Sequence, residues 1–208
     1  MKRRRNIVAG IIGLAVLVAL AAADLLCGGA ADSQVLRLLR APRVATALLA
    51  GAALALSGTQ MQSIFRNPLA DPHIMGVSAG ASLGAAIATM SAISPSGGLS
   101  VALAASVGAM ASALIILLAS KKFHSASTLL IFGIMLGFIV NALVAILQFS
   151  TDAESLKLFY SWSAGSFSTT TWSDIITLAI AVLIGTALAI AGRKGLDIIL
   201  FGDEFALM

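Results

Sequence analysis

The chain has 208 residues, of which 59% are hydrophobic and only 11% are charged, and its mean hydropathy is +1.02. Soluble domains carry roughly 25% charged residues, so this composition excludes an ordinary globular protein and predicts an integral membrane protein. The net charge of +4 does not indicate a nucleic-acid-binding surface, because the basic residues stand at the ends of apolar runs.

Six apolar stretches are long enough to cross a bilayer, since a spanning helix needs about 20 mostly apolar residues. The longest uncharged run, 74–120, would reach about 70 Å as one helix, and the turn-forming residues 94–98 divide it into two. The sequence therefore predicts an all-α, polytopic transmembrane bundle in a single membrane domain, 1–208. The predicted spans are residues 7–27, 44–65, 74–93, 99–119, 126–148 and 174–192.

Basic residues predict how the bundle is oriented. With the N-terminus in the cytoplasm, nine of the 13 Lys and Arg residues fall in inner segments and four in outer segments. That distribution satisfies the positive-inside rule and predicts both ends of the chain in the cytoplasm. The four outer residues are Arg37, Arg40, Arg43 and Lys157, and the three arginines need a separate reason.

The N-terminal run has a second interpretation. The basic residues 2–5, the apolar stretch after them and the alanines at 21–23 also fit a secretory signal peptide, whose cleavage would leave five spans. Cys27 is the one cysteine, so no intrachain disulfide can form and the sequence does not indicate a redox compartment.

Two connecting segments have features of their own. The connector 66–72 reads Arg-Asn-Pro-Leu-Ala-Asp-Pro, and its two prolines forbid a continuous helix between the second and third spans. Segment 149–173 mixes charged and aromatic side chains, including Trp162 and Trp172, which predicts an interfacial helix near the outer surface.

Glycines recur at four-residue spacing in two spans. Gly76, Gly80 and Gly84 lie in the third predicted span, and Gly133 and Gly137 lie in the fifth. Such spacing lets helix backbones approach closely, and packing is the main source of helix association where lipid removes the hydrophobic drive. The pattern predicts a compact bundle.

One motif suggests catalysis. Residues 76–80, Gly-Val-Ser-Ala-Gly, match a nucleophile-elbow pattern, and His73 and His124 are candidate bases. That motif needs a strand-to-helix turn, whereas here it opens an apolar helix, so Ser78 is interpreted as a helix-start or packing residue. The sequence has no GxxxxGK[ST] loop and no metal-ligand spacing, so it predicts no ATP hydrolysis by this chain, no metal site and no cofactor.

Two polar residues lie within the fifth predicted span. Asn141 and Gln148 either form hydrogen bonds across helices or face a pathway through the membrane, and the sequence leaves both interpretations open.

Several motifs, in order along the chain, resemble one known family. They are Arg-Ala-Pro-Arg at 40–43, the small-residue run 51–58 with Gln62, Asn-Pro-Leu-Ala-Asp-Pro at 67–72, Gly-Val-Ser-Ala-Gly-Ala at 76–81, Trp-Ser-Ala-Gly-Ser at 162–166 before Trp172, and the run 196–204. Together they resemble the FecCD-type permeases of type II ABC importers, which take up ferric siderophores, haem and cobalamin. The resemblance covers nearly the whole chain, and the run 67–72 is its most specific element.

The resemblance implies a permease subunit of the inner membrane that is not itself an enzyme. Its implied partners are a cytoplasmic ABC ATPase dimer, an extracytoplasmic solute-binding protein, a second permease subunit and membrane lipid, without nucleic acid. Docking of the binding protein on outer arginines would explain why those residues oppose the positive-inside rule. The implied site residues are Arg40 and Arg43 for docking, Asn67, Pro68, Asp71 and Pro72 in the cytoplasmic connector, Gly202, Asp203 and Glu204 for ATPase coupling, and Ser125 and Thr128 at a cytoplasmic gate.

The family usually has about ten spans, so the resemblance implies that this chain lacks about four of them. Two alternatives therefore stay open: a secondary transporter or channel without an ATPase, or an inactive, truncated permease fragment. A secondary transporter predicts ionisable residues in the middle of spans, and the second to sixth predicted spans have none there.

Overall fold

The computed structural model describes residues 2–26, 33–73, 75–90, 98–123 and 125–201, and these residues form helices and connecting loops without strands. This confirms the all-α prediction. The longer helices are α1 (Lys2–Leu26), α2 (Ala41–Phe65), α3 (Val77–Met90), α4 (Gly98–Ser120), α5 (Ala126–Phe149), α6 (Ala153–Ala164) and α7 (Trp172–Phe201). A short turn, Ser33–Val35, and a π-helical stretch, Leu36–Arg40, lead directly into α2.

Five of the described helices, α1, α2, α4, α5 and α7, are long and apolar enough to cross a membrane. The third predicted span corresponds to α3, whose 14 described residues reach about 21 Å. α3 begins at Val77 rather than at 74, because Gly76 has a φ of 76°, which is not helical. We count Met75 and Gly76 as the end of the connector. The predicted outer end at 91–93 lies outside the described residues.

The last helix is longer than predicted. α7 continues to Phe201, past the expected end of the span at 192. Arg193 and Lys194 end the apolar run, but a pair of basic residues does not end a helix, since neither residue removes a backbone donor.

The described residues divide into two compact units. Unit 1 comprises Met1–Ala53 with Ser166–Thr186, and unit 2 comprises Leu54–Gly165 with Ala187–Met208. The single membrane domain stays a prediction.

Within unit 2, α3 packs against α4, α5 and α6. The core around α3 consists mainly of small side chains: Ala85 and Ala86 are completely buried, and Ala105, Val144 and Phe159 surround them. Small residues dominate because helices in lipid gain stability from close packing rather than from burial of large apolar groups.

The α3–α4 interface has no room for side chains at three glycines. A Cβ atom on Gly84 would collide with the carbonyl oxygen of Ala104, and one on Gly80 would lie 2.5 Å from the carbonyl oxygen of Gly108. The same holds in reverse for Gly108, whose Cβ would collide with the carbonyl oxygen of Gly80. The predicted close approach at Gly80 and Gly84 is therefore confirmed, with backbone directly against backbone.

The helix predicted within 149–173 is α6, and its N-terminus is capped by Asp152. The backbone N–H of Ser155 donates a hydrogen bond to Asp152 Oδ2 at 2.9 Å. That bond keeps the pKa of the carboxyl group below its ordinary value, since it favours the charged form. One turn further along, Phe159 is only 4% exposed and packs against the alanine core, which fixes α6 on unit 2.

We predict opposite effects for two Gly→Ala substitutions. Alanine is the better helix former by about 1 kcal/mol, so substitution at an uncrowded glycine stabilises a helix. Gly84→Ala should instead destabilise the protein by about 1–3 kcal/mol, because the new methyl group pushes α3 away from α4. Thermal unfolding in detergent, followed by circular dichroism, measures the effect.

Gly185→Ala in α7 is the matched control, because no atom lies within 4 Å of a Cβ built there. Its melting temperature should equal or exceed that of the wild type. Equal melting temperatures for the two variants would contradict the backbone-contact interpretation of the α3–α4 interface.

Candidate functional site

The connector begins where α2 ends in a Schellman motif. The N–H of Asn67 donates to the carbonyl of Gln62 at 3.2 Å, and the N–H of Arg66 donates to that of Ser63 at 3.3 Å. Arg66 has a φ of 47°, a left-handed conformation that glycine usually provides and that costs other residues roughly 1–2 kcal/mol. The motif satisfies the last carbonyl groups of α2 and turns the chain out of the helix.

Two Asx-Pro turns then shape the connector. Asn67 Oδ1 accepts a hydrogen bond from the N–H of Leu69 at 2.9 Å, and Asp71 Oδ1 accepts one from the N–H of His73 at 2.7 Å. Pro68 and Pro72 follow the two acceptors, and each proline ring fixes φ in advance. The four connector residues expected from the family resemblance therefore form one folded loop, in which the same Asx-Pro turn occurs twice.

The end of the connector lies in a groove on α5. Gly76 has a φ of +76°, and a Cβ atom there would lie 2.8 Å from the carbonyl oxygen of Gly133. A Cβ atom on Gly133 would lie 3.2 Å from the Cα of Met75, and one on Gly137 would lie 3.3 Å from the Cα of Gly76. The predicted close approach at Gly133 and Gly137 is confirmed, and its partner is the connector backbone at 75–76.

A cleft of about 430 Å³ opens in unit 2 beside this contact, and we call it the polar cleft. Its polar lining consists of His73, Ser78, Ser82 and Asn141. His73 Nδ1 forms a hydrogen bond with Ser78 Oγ across the start of α3. Asn141 has no hydrogen-bond partner among the described residues, so of its two interpretations the structure favours the one in which it faces open space.

The contact between His73 and Ser78 does not form a nucleophile elbow. That motif needs a sharp turn from a strand into a helix. In the described residues, Ser78 is the second residue of α3 and follows the Asx-Pro loop. The hydrogen bond between His73 and Ser78 lies at the first turn of α3, as expected for a helix-start residue. His124 lies outside the described residues.

In unit 1, Pro42 explains the unusual turn next to Arg40 and Arg43. Pro42 has no N–H to bond the preceding turn, and the helix widens there, so that the N–H of Ala41 bonds the carbonyl of Leu36. Thr46 Oγ1 donates to the carbonyl of Pro42 at 2.8 Å. Pro42 is almost completely buried, so the distortion is packed in place.

The two arginines have different environments. Arg40 is half-buried, and its Nη1 donates to the carbonyl of Leu25 at 3.3 Å, in the last turn of α1. A guanidinium at that end complements both a carbonyl of the last turn and the negative end of the helix dipole. Arg43 is exposed and, together with Asp24, lines a cleft between α1 and α2.

The two residues expected at the gate lie at the start of α5. Ser125 is the N-cap of α5, and Thr128 follows one turn later; both side chains are exposed. The structure places them on one helix end but does not test their role as a gate. Gly202, Asp203 and Glu204 lie outside the described residues.

Three features of the site were not found by sequence reasoning. The left-handed conformation of Arg66 could not be predicted, because glycine is the residue expected in that position. The hydrogen bond from Arg40 to Leu25 joins residues 15 apart and depends on the α1–α2 geometry. The turns at Asn67 and Asp71 could have been predicted, since Asn-Pro and Asp-Pro pairs favour turn initiation.

The fold and site define a polytopic helical membrane protein whose helices are packed through glycines and joined by a folded Asx-Pro connector. The chain belongs to the FecCD transport family, whose sequence profile matches residues 6–208. The family expected from the motifs is therefore confirmed.

Curated relatives include permeases of several import systems. The hemin transport system permease protein HmuU of Yersinia pestis is 36% identical over 172 residues, which cover 81% of this chain and 52% of HmuU. The molybdate import system permease protein MolB of Haemophilus influenzae is 35% identical over 178 residues, covering 84% of this chain and 52% of MolB. The vitamin B12 import system permease protein BtuC of Salmonella arizonae is 36% identical over 197 residues, covering 88% of this chain and 59% of BtuC.

A solved structure has the same fold. It is a metal-chelate type ABC transporter in an inward-facing conformation, with a TM-score of 0.82 and 30% sequence identity. The match covers 94% of this chain and 65% of that one. The chain thus spans little more than half the length of the first two curated relatives, at 52% of each.

We predict that two substitutions at Arg66 will differ in stability. Glycine at this position would adopt the left-handed conformation freely, whereas alanine would keep the conformational strain that arginine has. Both variants lose the arginine side chain. The difference between their free energies of unfolding therefore measures the cost of the left-handed backbone conformation. Arg66→Gly should be more stable than Arg66→Ala by about 1 kcal/mol in thermal or denaturant unfolding. Equal stabilities would contradict the Schellman geometry at the end of α2.

Proposed function

We propose that this chain is a permease subunit of an ABC importer that takes up iron chelates or related metal-containing cofactors, such as haem or cobalamin. The supporting observation is the match of 94% of the chain to a metal-chelate type ABC transporter at a TM-score of 0.82. HmuU and BtuC carry names of hemin and vitamin B12 systems, and MolB carries that of a molybdate system. Cargo chemistry varies within one fold, so we assign selectivity mainly to a separate binding protein.

In this proposal the energy comes from a separate pair of ABC ATPase subunits, and the chain works with a second permease subunit. We assign ATPase coupling to Gly202, Asp203 and Glu204, which follow the end of α7 at Phe201. The orientation with a cytoplasmic N-terminus, supported by the distribution of basic residues, places this segment and the connector on the ATPase side.

The path for the solute is assigned to the polar cleft and the inner end of α5. Polar side chains within membrane spans are costly unless they pair or face water, and they commonly mark pathways. Asn141 and Ser82 line an open cleft in an otherwise apolar part of unit 2. Ser125 and Thr128 would form the gate, and ATP-driven rocking of paired bundles would open the path alternately to the two sides.

Docking of the binding protein is assigned to Arg40 and Arg43. Arg43 is exposed, whereas Arg40 is half-buried and already donates to the carbonyl of Leu25. A guanidinium has five N–H donors, so Arg40 keeps donors for a carboxylate of the partner. Exposed charge pairs of this kind set the register and rate of association more than its affinity.

The proposal predicts that the tagged chain, coexpressed with its ATPase, purifies with that ATPase from detergent-solubilised membranes. Asp203→Lys with Glu204→Lys should reduce ATPase recovery several-fold, because it reverses charge in the coupling segment. Lys121→Glu, an exposed charge reversal between α4 and α5, is the control and should leave recovery unchanged. Absence of ATPase with the wild-type chain would contradict the proposal and favour the inactive-fragment alternative.

Charge reversal should test the docking arginines separately. In a longer permease that contains this chain, Arg43→Glu should slow association of the binding protein by on the order of tenfold at low salt and less at high salt. Arg40→Glu should have a smaller effect on association and should also lower stability, because it removes the bond to α1. Surface plasmon resonance on nanodisc-embedded protein measures the association rate.

Lys157→Glu on α6 provides the matched control, since Lys157 is another exposed cation assigned to the outer side. Its association rate should equal that of the wild type. If Arg43→Glu also leaves association and uptake unchanged, the docking assignment is wrong.

A further inference from the structure

A second cleft lies in unit 1, between α1 and the start of α2, with a volume of about 470 Å³. Its walls are apolar: Leu17 and Leu20 lie on α1, Val44 and Leu48 lie on α2, and Phe167 closes one side. The wall on α1 runs from Gly13 to Asp24, which is about 16 Å along a helix. This is about the depth of one leaflet, half of a ~30 Å hydrocarbon core.

One end of this cleft is charged. Asp24 on α1 and Arg43 on α2 both line it, and each lies within one turn of a partner in the hydrogen bond between Arg40 and Leu25. That hydrogen bond joins α1 to the segment that leads into α2. It therefore holds Asp24 and Arg43 at the same end of the cleft. The transport proposal gives Asp24 no role.

An occupant of the cleft must match both the apolar walls and the charged end. An apolar helix would fill the walls but would leave a carboxylate and a guanidinium facing hydrocarbon, which is costly. A fatty acid or an anionic lipid would bind the guanidinium but would bring a second negative charge to Asp24. A phospholipid with a zwitterionic, ammonium-bearing head group matches the whole cleft. Its acyl chain fits the apolar walls, its phosphate fits Arg43, and its ammonium group fits Asp24.

We propose that this lipid cleft binds a phosphatidylethanolamine-type phospholipid. One acyl chain lies along α1 between Asp24 and Gly13, the phosphate binds Arg43, and the ammonium group binds Asp24. Arginine suits the phosphate because its planar fork can donate two parallel hydrogen bonds. The ammonium of ethanolamine carries N–H donors for the carboxylate, whereas the trimethylammonium of choline carries none, so the cleft distinguishes the two head groups.

The binding site is independent of whether the chain transports anything. It shares Arg43 with the proposed docking surface, and the two assignments differ in what they expect of Asp24. Only lipid binding requires the carboxylate, so Asp24→Asn should change lipid selectivity without reversing any charge that a binding protein would meet at Arg43.

The test is native mass spectrometry of the purified chain, delipidated in mild detergent and offered equimolar phosphatidylethanolamine, phosphatidylglycerol and phosphatidylcholine. The wild type should retain one phosphatidylethanolamine at least about five-fold in preference to the other two. Asp24→Asn should abolish that preference, and Arg43→Gln should reduce retention of all three lipids. Lys157→Gln, which removes an exposed cation on α6, should leave retention unchanged.

A fourth variant tests the apolar part of the lipid cleft. No atom lies within 4 Å of a Cβ built on Gly13, so Gly13→Leu fills the cleft without displacing the backbone. It should reduce lipid retention while leaving the melting temperature of the lipid-free protein unchanged. Equal retention of the three lipids by the wild type, full retention by Gly13→Leu, or no lipid retained at all would each overturn the proposal.

Discussion

Contact between helix backbones without intervening side chains is the constraint on which unit 2 depends. In lipid, large apolar side chains gain little by leaving the solvent, so stability must come from close packing and satisfied polar groups. α3 meets this requirement on two sides: Gly80 and Gly84 lie against α4, and Gly76 lies against the Gly133–Gly137 groove of α5. A methyl group at Gly76, Gly80 or Gly84 has no space, and one at Gly133 or Gly137 would be tightly crowded, so α3 is held between its neighbours on both sides.

That constraint also connects the parts of the candidate site. The connector reaches α5 through the backbone of Met75 and Gly76, and the same helix begins at Ser125 and Thr128. The Asx-Pro turns and the Schellman motif leave the connector few ways to deform. A displacement applied to the connector would therefore move the N-terminal half of α5 as well. The proposed alternating access needs such a mechanical link, because the ATPase subunits would act on the gate at Ser125 and Thr128 without contacting it.

Hydropathy and spacing predicted the features that depend on local sequence. The spans at α1, α2, α4, α5 and α7, the closely approaching glycines and the helix α6 all follow from apolar run length, four-residue periodicity or aromatic content. The start of α3 could not be predicted so well, because residues 74–76 are as apolar as the helix after them. Gly108 was not singled out, because it has no glycine one turn away, and its importance arises only from where Gly80 lies on the neighbouring helix. Contacts of that kind are long-range, and a single sequence does not contain them.

The structure also changes the argument about the outer arginines. In the sequence, the arginines that oppose the positive-inside rule needed a separate reason, and the family resemblance supplied one in the docking of a binding protein. Arg40 has a local reason, because it caps the carbonyl of Leu25 at the negative end of α1. Arg43 has another, because it lines the same apolar cleft as Asp24. Two of the three arginines that oppose the rule, Arg40 and Arg43, therefore have local contacts within unit 1. The docking proposal rests on the family resemblance and on the exposure of Arg43, and it is not needed to explain the charge distribution at these two residues.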